Sequence, residues 1–153
     1  MLEQTFQNPL SMRLAITVSR YLLGVVFLVF GLNGFLGFIP QPPPVPAAGA
    51  LLGAFVESGY LMTLVKATEV VVGALLLANR FVPLALLALL PVTVNIFALH
   101  LFLDPSLPGM AIAALVFALN AFLIWAYRAY YAPLKEAVAA PAAAPARAGT
   151  ARA

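Results

Sequence analysis

The sequence predicts an all-α protein of the polytopic membrane class, a four-transmembrane-helix bundle with both termini in the cytoplasm. Of its 153 residues, 64% are hydrophobic and only 8% are charged, whereas a soluble domain is about half apolar and about one quarter charged. A helix needs about 20 mostly apolar residues to cross a bilayer, and four stretches approach or reach that length. They are residues 14–35, 60–78, 81–101 and 107–127.

The positions of the basic residues indicate the orientation of the bundle. Lys and Arg lie at or before the start of the first span, between the second and third, and after the fourth, while the segments after the first and third spans carry only Glu57 and Asp104. Because cytoplasmic loops retain Lys and Arg, both termini are predicted to be cytoplasmic. The net charge of +3 is spread over these segments, so the expected partner is the lipid bilayer and not a nucleic acid.

Residues 1–13 are predicted to be a cytoplasmic lead-in to a transmembrane domain that covers residues 14–134. The first span is too long for the apolar region of a signal peptide and contains Arg20, so we expect an uncleaved helix. Small residues on one face of a membrane helix mark a packing surface. Spacings of four, three, four and three place the following residues on one stripe: Arg20, Gly24, Phe27, Gly31 and Gly34.

An outer segment, residues 40–57, separates the first two spans. Its first part is a proline run, which excludes a helix and favours polyproline II. Residues 47–57 are apolar but too short to cross, so they are expected to lie along the outer interface or to dip in and out, with Phe55 buried. Ser58 and Gly59 are predicted to break the chain before the second span.

Two charged residues, Lys66 and Glu69, lie in the middle of the second span. Each costs about 2.5–3.5 kcal/mol at that depth, which makes them candidates for a functional site. Being three apart, they share one helix face with Gly73. We expect this face to pack against the stripe of the first span. Arg20 would then lie near the level of Gly73, where it either reaches Glu69 or extends toward phosphate headgroups.

The third and fourth spans add polar residues at similar depth. The short Asn79–Arg80 connection predicts an antiparallel hairpin of the second and third spans, and Pro91 frees a backbone carbonyl on the face that carries Asn95. The predicted result is a polar pocket in the outer half of the bundle. Its candidate ligand-binding residues are Lys66, Glu69, Arg20, Asn95, Asn120, Asn33 and His100.

Structural interpretations of the same residues remain open. Asn95 and Asn120 are also typical of hydrogen bonds between membrane helices. His100 lies one turn before Asp104, which favours an interfacial His–Asp pair, although Asp104 or Ser106 is also available to cap the fourth span. Lys66 and Glu69 alone could set the helix register.

The end of the fourth span and the tail that follows it differ in composition. Aromatic residues cluster at its cytoplasmic end, as expected for a membrane-interface belt. The tail, residues 135–153, is rich in Ala and Pro and is predicted to be disordered.

Composition excludes several chemistries. The chain has no cysteine and one histidine, so disulfides, thiol redox chemistry, Cys-ligated metals and bis-histidine haem ligation are excluded, and no metal site is expected. No glycine-rich phosphate loop is present. The pocket therefore suits a small amphipathic ligand, a quinone headgroup, or a proton or ion. Catalytic residues stay unknown, and whether the protein is an enzyme stays open.

These residues resemble the DoxX family of small bacterial membrane proteins over residues 13–133. The matching motifs are Arg20-x-x-Leu23-Gly24-x-x-Phe27-x-x-x-Gly31, Lys66-x-x-Glu69-x-x-x-Gly73, Pro91-x-x-x-Asn95-Ile96 with His100, and Trp125-x-Tyr127-Arg128. The resemblance implies a four-helix protein of the bacterial cytoplasmic membrane. Some relatives are linked to thiosulfate–quinone oxidoreduction and others to membrane complexes that handle oxidative stress.

Three functions are consistent with these expectations. The first is a subunit or accessory of a membrane redox complex, holding a quinone or small substrate and working with a membrane or soluble oxidoreductase subunit. The second is a small homo-oligomeric carrier or permease. The third is an assembly factor that docks another membrane protein and has no chemistry of its own.

Overall fold

The computed structural model describes residues 9–135, which form helices and no strand. This confirms the all-α class. The helices are α1 (Pro9–Leu36), α2 (Pro46–Glu57), α3 (Leu61–Leu77), α4 (Val82–Phe102) and α5 (Leu107–Ala126), and a 3₁₀-helix follows α5 at Arg128–Lys135.

Within residues 9–135, three helices are long and apolar enough to cross a membrane: Leu10–Leu36 within α1, and the whole of α4 and α5. α3 has 17 residues, or about 25 Å at ~1.5 Å per residue, which is less than the ~30 Å of a bilayer core. α2 and α3 are long and apolar enough for a span only when they are taken together, and they are bent by 92° at the break between them. The chain is therefore compatible with a multi-pass membrane protein of three or four spans.

The first described residue, Pro9, already lies in α1, so this helix includes residues before the first span predicted from residue 14. Residues 9–13 of the predicted lead-in are therefore helical. Residues 1–8 of the lead-in, and the predicted disordered tail after residue 135, lie outside the described residues.

The break between α2 and α3 lies at the predicted position. The Ser58 hydroxyl donates to the carbonyl of Phe55 at 2.6 Å and accepts from the Leu61 N–H at 3.0 Å. Gly59 has a φ of +76°, a conformation that glycine adopts at little cost. The segment predicted as interfacial thus becomes a separate helix at a large angle to α3. Phe55 is half-buried by other residues of the protein; its predicted burial in the membrane interface stays a prediction.

The predicted antiparallel hairpin joins α3 to α4. Asn79 adopts a left-handed φ of 55°, and the N–H of Arg80 bonds to the carbonyl of Leu75 at 3.0 Å. This satisfies a free carbonyl at the end of α3, as in common helix C-caps. Phe81 is also left-handed, with a φ of 52°, and α4 starts immediately after it. The short turn places α4 alongside α3.

All four long helices contribute to one apolar core. α1 packs along α3, α4 packs against α3 and α5, and α5 also contacts α1. The buried apolar residues of this core are Leu23, Phe27, Val72, Leu76, Val82, Ala85, Leu86, Leu89, Val116 and Leu123. Large apolar side chains are also exposed on the outer faces of the helices. Such a surface is typical of a protein that contacts lipid.

Candidate functional site

The small residues of α1 and α3 bring the two backbones into close contact. A Cβ at Gly73 would lie 2.5 Å from the backbone nitrogen of Leu28, and one at Gly31 would lie 2.8 Å from that of Val70. At Gly24 the nearest atoms belong to Leu77, at 3.0 Å. The predicted contact between the glycine stripe of α1 and the Lys66–Gly73 face of α3 is therefore confirmed.

Lys66 and Glu69 form a direct ion pair on α3. The Lys66 ammonium donates to Glu69 Oε2 at 2.8 Å. The Glu69 side chain is 4% exposed and the Lys66 side chain 24%, so the carboxylate is enclosed while the ammonium keeps access to its surroundings. Gly34 of α1 lies against the stem of Lys66. This glycine leaves the space in which the stem runs.

The pair lies on a groove between α2, α3 and α4. We call it the main groove; its volume is about 480 Å³. Asn95 reaches the same groove from α4. Lys66, Glu69 and Asn95 are thus brought together, as predicted. The remaining walls are mostly apolar: Leu51, Leu52, Phe55, Met62, Leu64, Val65, Thr68, Ala88, Pro91, Val92, Ile96 and Leu99.

A second, smaller groove also includes Lys66. Its volume is about 440 Å³, and α1 and the following loop line most of it, including Asn33 and Gln41. Asn33 is committed to that loop, because its Oδ1 accepts from the Ile39 N–H at 2.6 Å and its Nδ2 donates to the Ile39 carbonyl at 3.2 Å. Asn33 therefore shapes the loop beside Lys66 and does not line the main groove.

Asn95 does not connect two helices. Its Nδ2 donates to the carbonyl of Pro91 at 2.9 Å, one turn earlier in α4, and the residue is exposed. Asn95 was predicted either to bind a ligand or to form a hydrogen bond between helices, and the interhelical bond is not observed. Its place on the main groove leaves the side chain open to a ligand.

Asn120, unlike Asn95, forms a hydrogen bond between two helices. It is fully buried in α5, and its Nδ2 donates to Thr93 Oγ1 of α4 at 3.0 Å. Thr93 in turn donates to the carbonyl of Leu90 at 3.0 Å. Asn120 thus joins two helices, and it does not line the main groove. Its Oδ1 is buried without a hydrogen-bond partner.

His100 is paired at the end of α4. Its Nδ1 lies 3.5 Å from Asp104 Oδ2 and 3.2 Å from the Asp104 carbonyl oxygen. The structural interpretation of His100 is therefore the one observed. Ser106, not Asp104, occupies the N-cap position of α5, and its side chain makes no capping bond.

Arg20 is buried, with 6% of its surface exposed. Its guanidinium donates to the carbonyl of Leu76 and stacks 4.5 Å from the ring centre of Tyr21. Among the described residues, Glu69 pairs with Lys66, and the carboxylate of Asp104 lies beside His100, so Arg20 does not pair with Glu69. A cation is favourable there because the last carbonyls of a helix carry partial negative charge.

Sequence reasoning does not find every residue of the site. The α2 wall of the main groove, formed by Leu51, Leu52 and Phe55, is apolar like any interfacial segment. Thr93 is separated from Asn95 by two positions and therefore faces another side of α4. A threonine between Pro91 and Asn95 is a signal that could have identified the partner of Asn120.

Within residues 9–135, no group of three His, Cys, Asp or Glu residues could hold a metal ion. The comparisons with known proteins found no family model, no curated protein and no solved structure that matches the chain.

The site offers a cation with open donor positions, an enclosed carboxylate and an amide, all beside an apolar groove. This set can bind and orient a polar headgroup while the walls contact an apolar chain.

Proposed function

We propose that this chain is a DoxX-like integral membrane protein that binds a small amphipathic ligand in the main groove, as a subunit or accessory of a membrane redox complex. The observation that carries the proposal is the Lys66–Glu69 pair on a mostly apolar groove between three helices. Ligand sites in proteins have this composition: apolar walls, a few placed polar groups and a volume of about 300–1,000 Å³.

The proposed membrane arrangement has four spans, α1, α3, α4 and α5, in a bacterial cytoplasmic membrane. The distribution of Lys and Arg supports cytoplasmic termini. The 92° angle between α2 and α3 supports an interfacial position for α2, which would complete the short α3 at the outer surface. The main groove then lies in the outer half of the bundle and is open to the lipid.

A quinone fits the residues of this groove. The Lys66 ammonium can donate to a quinone carbonyl, since it is 24% exposed and an ammonium has three N–H donors. The apolar walls from α2, α3 and α4 can contact an isoprenoid tail. When bound, a quinone would supply the electron-accepting chemistry, while the residues of this chain bind and orient it. The redox partner would be another membrane or soluble subunit.

The test is the quinone content of the full-length protein purified in lipid nanodiscs. Extraction of the wild type is expected to yield quinone in stoichiometric amounts, and Lys66→Met is expected to remove it. Arg80→Met serves as the control, because it removes a cation from an exposed turn outside the groove. A wild type that neither retains nor takes up quinone, or a Lys66→Met variant that retains it fully, would contradict the proposal.

An oligomeric carrier is the alternative function, and one observation favours it. Lys66 lines both the main groove and the smaller groove, so one cation could contact a solute in either. This function requires a dimer or larger assembly, since four helices are few for a complete path. Solute flux in liposomes that Lys66→Met abolishes, together with an oligomer in lipid, would support it over the redox accessory.

A further inference from the structure

The charges at the main groove restrict the kind of ligand that it can take. Of the residues that line the groove, Lys66 is the one cation and Glu69 the one anion. Their side chains are in direct contact at 2.8 Å. The groove therefore carries no net charge from its lining residues.

The geometry points to an uncharged ligand: we infer that the main groove selects a single-chain amphiphile whose headgroup is a neutral hydrogen-bond acceptor, and that it discriminates against anions. This inference rests on the proposed function and adds the charge of the ligand to it.

The hydrogen-bonding capacity of the pair supports an acceptor headgroup. An ammonium has three N–H donors, and the contacts of the described residues occupy one of them, the bond to Glu69. The others are available to an acceptor in the groove. Asn95 can add one further donor, because an amide nitrogen has two N–H groups and only one donates to the Pro91 carbonyl, at 2.9 Å, but this donor is uncharged and therefore weaker. The ligand's polar group therefore needs lone pairs directed at Lys66.

The position of Glu69 disfavours an anionic headgroup. The carboxylate is 4% exposed, so its charge is poorly screened by solvent. A second anion at Lys66 would have to share the cation and lie close to this carboxylate in a medium of low dielectric constant, where like charges repel strongly. It would also lose its hydration without gaining a new counter-ion. A neutral acceptor gains the hydrogen bond without either cost.

The apolar lining of the groove favours a ligand with a chain. Polar side chains contribute only at Lys66, Thr68, Glu69 and Asn95, while the walls from α2 and the rest of α3 and α4 are apolar. Thr68 is occupied, because its hydroxyl donates to the Leu64 carbonyl at 2.9 Å. The apolar walls would contact a hydrocarbon chain, and their burial would contribute most of the binding free energy.

The experiment compares two probes with the same alkyl chain, an alkyl sulfonate and the corresponding methyl alkyl sulfone. Both have sulfonyl oxygens as acceptors. The sulfonate is an anion at every working pH, whereas the sulfone is uncharged. Binding to the full-length protein in nanodiscs is measured after subtraction of the uptake by empty nanodiscs. The wild type is expected to bind the sulfone about tenfold more tightly.

Glu69→Gln should reverse this preference, because it leaves Lys66 as an uncompensated cation beside the groove. Glu57→Gln is the matched control: it makes the same change at an exposed carboxylate outside the groove and should keep the wild-type preference. If Glu69→Gln does not fold, Asn95→Lys adds a cation to the same groove with the pair intact, and it should shift the preference toward the sulfonate.

The outcomes separate the inference from the proposed function. Tighter binding of the sulfonate, or equal binding of both probes to the wild type, would overturn the inference and leave the ligand site in place. An unchanged preference in a folded Glu69→Gln variant would overturn it as well. Binding of neither probe would overturn the proposed site together with the inference.

Discussion

Gly34 of α1 lies against the aliphatic stem of Lys66 in α3, so closely that a Cβ at Gly34 would be 2.5 Å from Lys66 Cγ. The contact links the packing of two helices to the position of the ammonium. Gly34 on α1 therefore determines where Lys66 can place its charge.

The first prediction follows from this contact. Gly34→Ala should displace the Lys66 stem, weaken the bond to Glu69 and reduce ligand binding in the main groove about tenfold, which corresponds to ~1.4 kcal/mol. Global stability should fall by only ~1 kcal/mol, because the stem of a lysine can move. The measurement is a binding titration in nanodiscs together with an unfolding titration in mixed detergent micelles.

Gly53 provides the control for this substitution. It lies in α2, and a Cβ there would have no heavy atom of a neighbour within 4 Å. Gly53→Ala should therefore leave binding unchanged and stabilise the helix by up to about 1 kcal/mol. Equal losses of binding in both variants would show that Gly34 does not position Lys66.

The same contact shows what helical periodicity predicts well. Spacings of three and four place Gly24, Gly31 and Gly34 on one face, and small side chains permit close approach, so the α1–α3 interface and the Lys66–Glu69 pair follow from the sequence. The fold class likewise follows from the sequence, in this case from its composition. Composition and residue spacing can both be read from the sequence of each helix taken separately.

The remaining site depends on relations that periodicity does not contain. The depth of Arg20 is predictable, but not its choice of the Leu76 carbonyl over Glu69, because a long side chain reaches several acceptors from one position. The loop partner of Asn33 depends on the path of the chain after α1. The α2 wall of the groove depends on the 92° bend. None of these is fixed by the spacing of residues along a helix.

The second prediction concerns the asymmetry of the ion pair. Lys66→Met leaves the enclosed carboxylate of Glu69, 4% exposed, without its partner and should destabilise the protein by about 3 kcal/mol. Glu69→Leu should cost less, since the Lys66 side chain is 24% exposed and can direct its charge into either groove. Unfolding titrations of both variants in the same micelles measure the difference.

The double variant Lys66→Met/Glu69→Leu is the internal control of this comparison. Removing both charges should recover most of the stability lost in Lys66→Met, because no buried charge is left uncompensated. Ligand binding should stay lost, since the donor is absent. Additive losses in the double variant would contradict a direct interaction between the two side chains.

The third prediction concerns the buried bond between α4 and α5. Thr93→Val removes the acceptor for Asn120 Nδ2 and leaves a buried amide without a partner, so it should cost about 1 kcal/mol. Asn120→Leu should cost less, because it also removes an Oδ1 that is buried without a hydrogen-bond partner. Unfolding titrations of the two variants and of the double variant give the coupling energy. A larger loss for Asn120→Leu than for Thr93→Val would contradict this order.

The last prediction concerns the 3₁₀-helix after α5. The Tyr131 hydroxyl donates to the carbonyl of Pro83 at 2.9 Å and so ties this helix to the start of α4. Burial, and secondarily the neighbouring Tyr127, raise the pKa of Tyr131 above its ordinary value of 10.0. A raised pKa of an acidic group means that the folded protein holds this proton more tightly than the unfolded chain does.

Tyr131→Phe should therefore lower stability by about 1 kcal/mol at neutral pH, because it removes the donor. The contribution of the phenol is fully present below pH 10.0, its ordinary pKa, and is lost as the pH rises through the raised value. The difference in unfolding free energy between wild type and Tyr131→Phe, followed from neutral to alkaline pH, should shrink in that range. Tyr130, which is 69% exposed, provides the control. Tyr130→Phe should show neither the loss of stability at neutral pH nor the decline of that loss at alkaline pH. A similar profile for both variants would instead assign the effect to general alkaline destabilisation.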